Sequence, residues 1–271
     1  SVLVAVFASF CSLETVLRLA RGGLGRIWTG MAAIMLGAGV WAMHFIGMLA
    51  FRLSCGVSYD VSITALSMLP GIFASAVALQ LIASPRLSGT RLVFGAVVLG
   101  GGIGLMHYSG MAAIRFAGIL RYDLATFALS LLAAVLLALP ALGSRHLVAR
   151  LRLGDVPFLT SAVGGVVLGG AISSMHYIAM EAAFFLPVDG VEPVNAASPH
   201  TLAFAVGATV FLLLVFGLLL TALGSRMSET RTRLYTMLAV TSQGYLLVDD
   251  AGRVVDSNPA MESLLGIAPG T

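Results

Sequence analysis

Seven apolar blocks, at residues 1–20, 27–51, 61–83, 90–116, 124–142, 157–186 and 200–223, dominate this chain of 271 residues. Each holds about the 20 residues needed to cross ~30 Å of hydrocarbon. A soluble domain carries roughly a quarter of its residues as Asp, Glu, Lys and Arg, whereas the share here is 10%. So little charge cannot cover a globular surface with solvated groups. The sequence therefore predicts an all-α membrane protein with seven transmembrane helices, and excludes soluble metabolic enzymes. Two cysteines, Cys11 and Cys55, are too few to make a disulfide scaffold.

The charges report topology. All 15 basic residues are Arg, scattered between apolar blocks, which is no nucleic-acid patch. Arg18, Arg21 and Arg26, then Arg86 and Arg91, then Arg145, Arg150 and Arg152, then Arg226, Arg231 and Arg233 fall on one set of faces. Only Arg52, Arg115 and Arg121 fall on the other, which also carries Asp60, Asp123, Asp189 and Glu192. Positive loops stay inside, so the C-terminus is expected in the cytoplasm and the N-terminus outside. The chain opens on Ser1, already within an apolar run; a missing native start is expected, and no signal peptide is legible.

The second, fourth and sixth blocks repeat one pattern. Residues 36–48 read LGAGVWAMHFIGM, residues 99–111 read LGGGIGLMHYSGM, and residues 168–180 read LGGAISSMHYIAM. Arg52 and Arg115 stand eight residues after their histidines, and Tyr59-Asp60 and Tyr122-Asp123 begin fifteen after; the third copy lacks these. Gly37 and His44, Gly100 and His107, and Gly169 and His176 are seven apart, hence on nearly one helix face. Small residues mark the face where membrane helices approach closely, so each imidazole is expected to look into the bundle. Asp60 and Asp123 suit N-caps of the helices that follow. The expected architecture is three helical hairpins with one leading span.

Each copy offers one imidazole and two thioethers. Met48, Met111 and Met180 lie one turn beyond the histidine on its face, while Met43, Met106 and Met175 lie about 100° to the side. Imidazole suits copper, zinc, iron or nickel, and soft thioether sulfur selects copper. By the expected orientation, His44, His107 and His176 lie roughly 10 Å below the outer boundary, at one level. A single Met-His pair in a helix reads as core packing. Three ionisable side chains at one depth in a bilayer read as a functional site.

Other residues are secondary. Phe45, Tyr108 and Tyr177 follow the histidines and suit helix packing near the site, with a hydroxyl dispensable in the first copy. Glu181 offsets metal charge or, as its position favours, snorkels outward. His200 heads the seventh span and reads as a solvated helix start within reach of the cluster. His146, among arginines, reads as headgroup-facing, Arg52 and Arg115 as interface anchors. Cys55 is soft and on the right side but has no counterpart in the other copies.

The thrice-repeated M-H-[FY]-x-[GA]-M at the outer ends of alternate spans resembles the MHYT domain, a bacterial integral-membrane sensor module. The resemblance covers residues 1–223. It implies a copper site made by the motif Met and His residues, through which the domain senses a diatomic gas such as oxygen, carbon monoxide or nitric oxide, in the bacterial inner membrane. The fourth motif letter is Ile46, Ser109 or Ile178 and never Thr, which puts any shared hydroxyl role at that position in doubt.

After residue 223 the composition shifts to Arg, Ser, Glu and Thr, and residues 224–240 are expected to continue a helix from the seventh span as a linker. Residues 245–249 and 253–256 read as two strands around a turn. Asn258, Pro259 and Gly266 frame a short helix. GYLLVDDAGRVVDSNPAMESLLG, residues 244–266, is similar to the opening of a PAS domain, so 241–271 is expected to be its truncated, α+β start. The arrangement implies C-terminal output domains for cyclic-di-GMP turnover, or a histidine kinase, and a homodimer in the bilayer. No catalytic constellation is present in this segment.

Two alternatives keep a metal and change the task. A haem-binding electron-transfer protein would use His or Met as axial ligands. A copper transporter would need ligands continuing toward the cytoplasm, where the inner halves of the spans read as apolar, with no second Met or His layer.

Overall fold

The computed structural model describes residues 1–19, 25–51, 56–83, 88–144, 157–188, 198–240, 243–248, 252 and 254–266. Arg21, Arg52, Cys55, Arg86, Arg145, His146, Arg150, Arg152, Asp189 and Glu192 lie outside them. The described residues hold seven helices long and apolar enough to cross a membrane. They are α1 (Val2–Leu19), α2 (Gly25–Ala50), α3 with α4 (Val61–Leu66, Met68–Ala83), α5 (Gly89–Ala112), α6 (Leu124–Leu142), α7 (Pro157–Glu181) and α8 (Pro199–Val240). The third span is broken at Ser67 because Pro70 has no N–H to give the Leu66 carbonyl. Ser67 Oγ and Trp41 Nε1 donate instead to the carbonyl of Thr64, at 2.7 and 2.8 Å.

Two compact units are present, Ser1–Thr221 and Ala222–Thr271. In the first, α1 packs beside α2 and α7, α2 beside α4, α4 beside α5, α5 beside α6 and α6 beside α7. Six helices thus close a ring. The motif helices α2, α5 and α7 alternate with the partner helices α4, α6 and α1. Backbone proximity is set by the motif glycines, where a Cβ on Gly37, Gly100 or Gly169 would come within 2.6, 2.9 and 2.6 Å of Cα of Ile72, Val135 and Val6. Such approach maximises van der Waals contact where lipid tails supply no competing hydrophobic drive.

The third of these contacts corrects the expected third hairpin. The partner of α7 in the ring is α1, the leading span, and not the span that follows α7 in sequence. Val6 on α1 occupies the position of Ile72 on α4 and Val135 on α6. Three residues further on stand Ser9, Ser75 and Ala138, all fully buried.

Short strands stitch the repeats at the ends of the motif helices. β1 (Ser58–Tyr59) pairs antiparallel with β2 (Ile114–Arg115), and β3 (Gly118–Tyr122) with β4 (Ala183–Pro187). Beside each ladder the capping aspartate donates its own N–H across the repeat: Asp60 to the Ala113 carbonyl at 2.8 Å, Asp123 to that of Ala182 at 2.9 Å. The carboxylates accept from the Ile63 and Thr126 amides, at 3.0 and 2.8 Å. These amide bonds hold both carboxyls below the usual carboxylate range, with Arg115, 3.1 Å from Asp60, adding to the effect there.

The second unit ends in a small α+β element. β5 (Leu246–Val248) pairs antiparallel with β6 (Val254–Ser257), followed by α9 (Pro259–Leu265). Asn258 is its pin: the buried amide accepts from Met261 and Tyr245 N–H and donates to the Gln243 carbonyl. Gly266 closes the helix at φ 66°, the left-handed cap that glycine takes without a Cβ penalty.

The ring makes a paired prediction. Gly100 faces the backbone of Val135, whereas a Cβ on Gly101 would meet nothing within 4 Å. Gly100→Leu will lower the thermal unfolding temperature in detergent, as expected for overpacking that costs about 1–3 kcal/mol, while Gly101→Leu will leave it within error of the parent.

Candidate metal centre

Each motif helix carries its histidine to the bundle axis, where His44, His107 and His176 are 0%, 1% and 3% exposed. Their Nδ1 atoms form a triangle with sides of 3.0 Å (His44 to His107), 3.2 Å (His44 to His176) and 3.3 Å (His107 to His176). The rings meet edge to face at 74–85°. Nothing else in the described residues brings three metal-ligating side chains of this kind together.

Hydrogen bonding cannot account for the triangle. A neutral imidazole presents at Nδ1 either one proton or one lone pair. Donors and acceptors can alternate around an even ring but not around three members. At least one contact must set proton against proton or lone pair against lone pair. Three lone pairs directed at one cation remove the conflict, and nitrogens about 3.0–3.3 Å apart leave a point about 2 Å from all three, the ordinary metal–imidazole distance. The three histidines form a buried cluster capable of coordinating a metal ion.

Coordination through Nδ1 leaves the proton on Nε2. Nε2 of His44 and of His107 is buried with no hydrogen-bond partner. In two of the three rings Nε2 lies against the small residue of the next copy: a Cβ on Gly110 would come to 2.6 Å of His44 Nε2, and one on Gly47 would collide with His176 Nε2. The [GA] letter of the motif is thus the floor on which the adjacent copy's imidazole lies. The third copy carries Ala179 there.

The motif methionines fall into two sets by their place relative to the histidines. Met48 and Met111 are buried one turn beyond the histidines, and Met180 is partly buried and packed against the core. Met43, Met106 and Met175 are buried too, the latter two in seams between helices. Met106 reaches toward Gly71 of α4 and Met175 toward Gly104 of α5, at 3.7 and 3.6 Å from the Cβ those glycines lack. Phe45 is fully buried against His44 and Trp41, with ring centroids 4.7 and 4.9 Å away. Tyr108 lies 4.9 Å from His107 and its hydroxyl meets Ser130 Oγ at 2.8 Å. Tyr177 is half exposed, with its hydroxyl 3.1 Å from Ser1 Oγ. Glu181 and His200 are exposed at helix ends.

Some neighbours of the centre were not legible as such. Phe51 just past α2, Phe116 just past β2 and Phe185 of β4 meet beyond the histidines, Phe185 lying 5.1 Å from Phe51 and 5.4 Å from Phe116 between ring centroids. Phe116 and Phe185 both stand nine residues after their histidine, a signal the repeat contains. On the other side lie two buried apolar layers, Val40, Ile103 and Ile172, then Leu36, Leu99 and Leu168. The expectation of wholly apolar far halves needs correcting, because α1 buries Glu14, ion-paired with Arg18, together with Ser9 and Ser12.

The repeat and its histidines coincide with a known family. MHYT, described as a bacterial signalling protein N-terminal repeat, matches residues 37–95 and 100–154. Residues 37–154 are an MHYT-like sensor region. With its seven spans, the chain is a multi-pass protein of the bacterial inner membrane. The chain is 40% identical over 188 residues to the bifunctional diguanylate cyclase/cyclic di-GMP phosphodiesterase MucR of Pseudomonas aeruginosa, covering 68% of this chain and 27% of that one. It is 35% identical over 194 residues to the cyclic di-GMP phosphodiesterase NbdA of the same organism, 71% of this chain and 24% of that one. It is 26% identical over 276 residues to the signaling protein YkoW of Bacillus subtilis, 98% of this chain and 34% of that one. The chain thus spans about a quarter to a third of the length of these relatives, and the MHYT-like segment is a sensor, not a catalytic domain. No solved structure matches it.

The contact between copies gives a test that removes no ligand. Gly110→Ala will push the His44 ring from the MHYT-like centre and weaken metal binding about tenfold, the scale on which support of a ligand acts. Gly101→Ala, which points at open space, will bind as the parent does. Competition with a chelator of known affinity measures both.

Proposed function

We propose that this chain is the copper-binding sensor of a membrane signalling protein, with a diatomic gas (oxygen, nitric oxide or carbon monoxide) or the copper redox state as its stimulus. The observation that carries the reading is the buried, all-neutral Nδ1 triangle, a donor set that suits copper among other metals, and the motif methionines are the soft donors that would favour copper. His44, His107 and His176 would hold the ion, and Met43, Met48, Met106, Met111, Met175 and Met180 are the thioether candidates. Phe45, Tyr108 and Tyr177 would shape the surroundings, and Glu181 and His200 are more distant candidates. Bound copper would supply a redox-active, gas-binding centre. The protein's part is to fix three imidazoles, bar water from them with the aromatic trio and the apolar layers, and present a rigid ring whose packing responds to occupancy.

The arginine distribution supports an outer centre and a cytoplasmic C-terminus. In the proposed division, residues 1–223 are the sensor, 224–240 a signalling linker and 241–271 the start of a PAS domain. Support for the linker comes from α8, which continues as one helix from Pro199 to Val240. The strand-turn-strand-helix order of β5, β6 and α9 supports the PAS reading. The relatives' names point to cyclic di-GMP turnover as the output, carried by domains beyond this segment, and a homodimer would suit such signalling.

Geometry disfavours both alternatives. Axial haem ligands must face each other across a porphyrin, whereas these three nitrogens touch. Transport needs a polar path, and two layers of Val, Ile and Leu separate the triangle from the far half of the bundle.

Purified membrane region, reconstituted with copper, will retain the metal through gel filtration. His44→Ala, His107→Ala and His176→Ala will each lose it, and binding of nitric oxide or carbon monoxide will perturb the optical and EPR spectra of the wild type alone. Absence of copper from the wild type, or variants indistinguishable from it, would overturn the copper reading. Copper binding without any gas response would leave copper itself as the stimulus.

A further inference from the structure

Among the described residues, nothing charged stands beside the three histidines. One turn toward the far half, on the same helix faces, are Val40, Ile103 and Ile172, each at most 1% exposed. One turn the other way are Met48, Met111 and Met180, and beyond those Phe185 meets Phe51 and Phe116. The side chains next to the triangle are therefore hydrocarbon or thioether.

The carboxylates of the membrane unit lie elsewhere. Those in its described residues are Glu14, Asp60, Asp123 and Glu181. Glu14 is paired with Arg18, eight residues beyond Val6. Val6 packs on Gly169, seven residues before His176, and α1 runs antiparallel to α7. Helical rise then sets Glu14 roughly 22 Å from the triangle along the bundle. Asp60 is spent on the Ile63 amide and Arg115, and Asp123 on the Thr126 amide. Glu181 is exposed at the end of α7. The Cys11 thiol is buried on α1 in the same far half as Glu14.

This matters because the cost of taking an ion out of water rises with the square of its charge, and it is large for any ion left without a counter-charge. Three neutral nitrogens leave a dication its full charge. A three-histidine zinc site relieves this with water in an open fourth position, whereas the neighbours here are apolar.

We propose that the centre selects by charge, holding the monocation Cu(I) in preference to divalent ions, and that Val40, Ile103 and Ile172 set this selectivity by keeping anions and water from beside the imidazoles. The inference rests on the copper reading and deepens it by naming the oxidation state that the ring holds. Cu(I) and Zn(II) both have a filled d shell, so charge and softness are what separate them. Thioethers at Met48 and Met111 act in the same direction as the charge, because soft donors favour Cu(I).

Competition with chelators of known affinity, run without oxygen on the whole chain in nanodiscs, measures Cu(I) and Zn(II) side by side. The parent will hold Cu(I) about a hundredfold or more tighter than Zn(II). Val40→Asp sets a carboxylate one turn from His44 and will raise Zn(II) affinity about tenfold or more, and that of Cu(I) by less, since the attraction scales with the charge of the ion. Val40→Asn, of nearly the same shape as Val40→Asp and uncharged, will bind Zn(II) as the parent does. Ile103→Asp makes the same change in the second copy and answers the question if Val40→Asp does not fold. A parent that binds neither ion would overturn the copper reading and this selectivity with it. Zn(II) held as tightly as Cu(I) would leave the copper reading standing and overturn the selection by charge. Equal gains for Zn(II) in Val40→Asp and Val40→Asn would overturn the role given to the apolar layer.

Discussion

Three imidazole nitrogens meeting as a triangle cannot satisfy one another, because two kinds of partner cannot alternate around an odd ring. The rest of the membrane unit is arranged around that conflict. Each histidine is held by the packing of its own helix against a partner helix, and the rings of His44 and His176 lie on the small residue of the next copy. Taking three imidazoles out of water costs free energy, and among these contacts only a shared cation uses all three lone pairs. The His44, His107 and His176 set is for that reason a centre, and not three coincident core residues.

The ring of six helices follows from the same small residues. Gly37, Gly100 and Gly169 let three backbones approach three others closely, and the strand pairs and the Asp60 and Asp123 N–H bonds tie the helix ends between copies. Repetition makes the arrangement economical, as one interface solved once serves three times. Where the copies differ, at Gly110 against Ala179, local specialisation enters.

Much of this was legible. Seven spans, the motif helices, the N-caps at Asp60, Asp123 and Asn258 and the αL cap at Gly266 are local signals, fixed by hydropathy, hydrogen-bonding side chains and a permissive glycine. Meeting of the histidines was legible because an ionisable group is not left facing lipid. What was not legible depends on tertiary choice. Nothing local in α1 marks Val6 as the counterpart of Ile72 and Val135, and any apolar span could have closed the ring. Glu14 was overlooked because averaging hydropathy over a span hides one carboxylate whose partner, Arg18, sits a turn away. The Phe51, Phe116 and Phe185 trio joins three segments that follow separate motif helices, so no single stretch announces it. The methionines remain divided, since spacing places Met48, Met111 and Met180 on the histidine face while Met106 and Met175 fill helix seams.

The most direct test of the account is X-ray absorption at the copper edge on the loaded wild-type membrane region. The account predicts a first shell containing nitrogen at about 2.0 Å, with outer-shell scattering from imidazole rings that diminishes in His44→Ala. A shell made of sulfur alone at about 2.3 Å, with no imidazole signature and no change in His44→Ala, would contradict it.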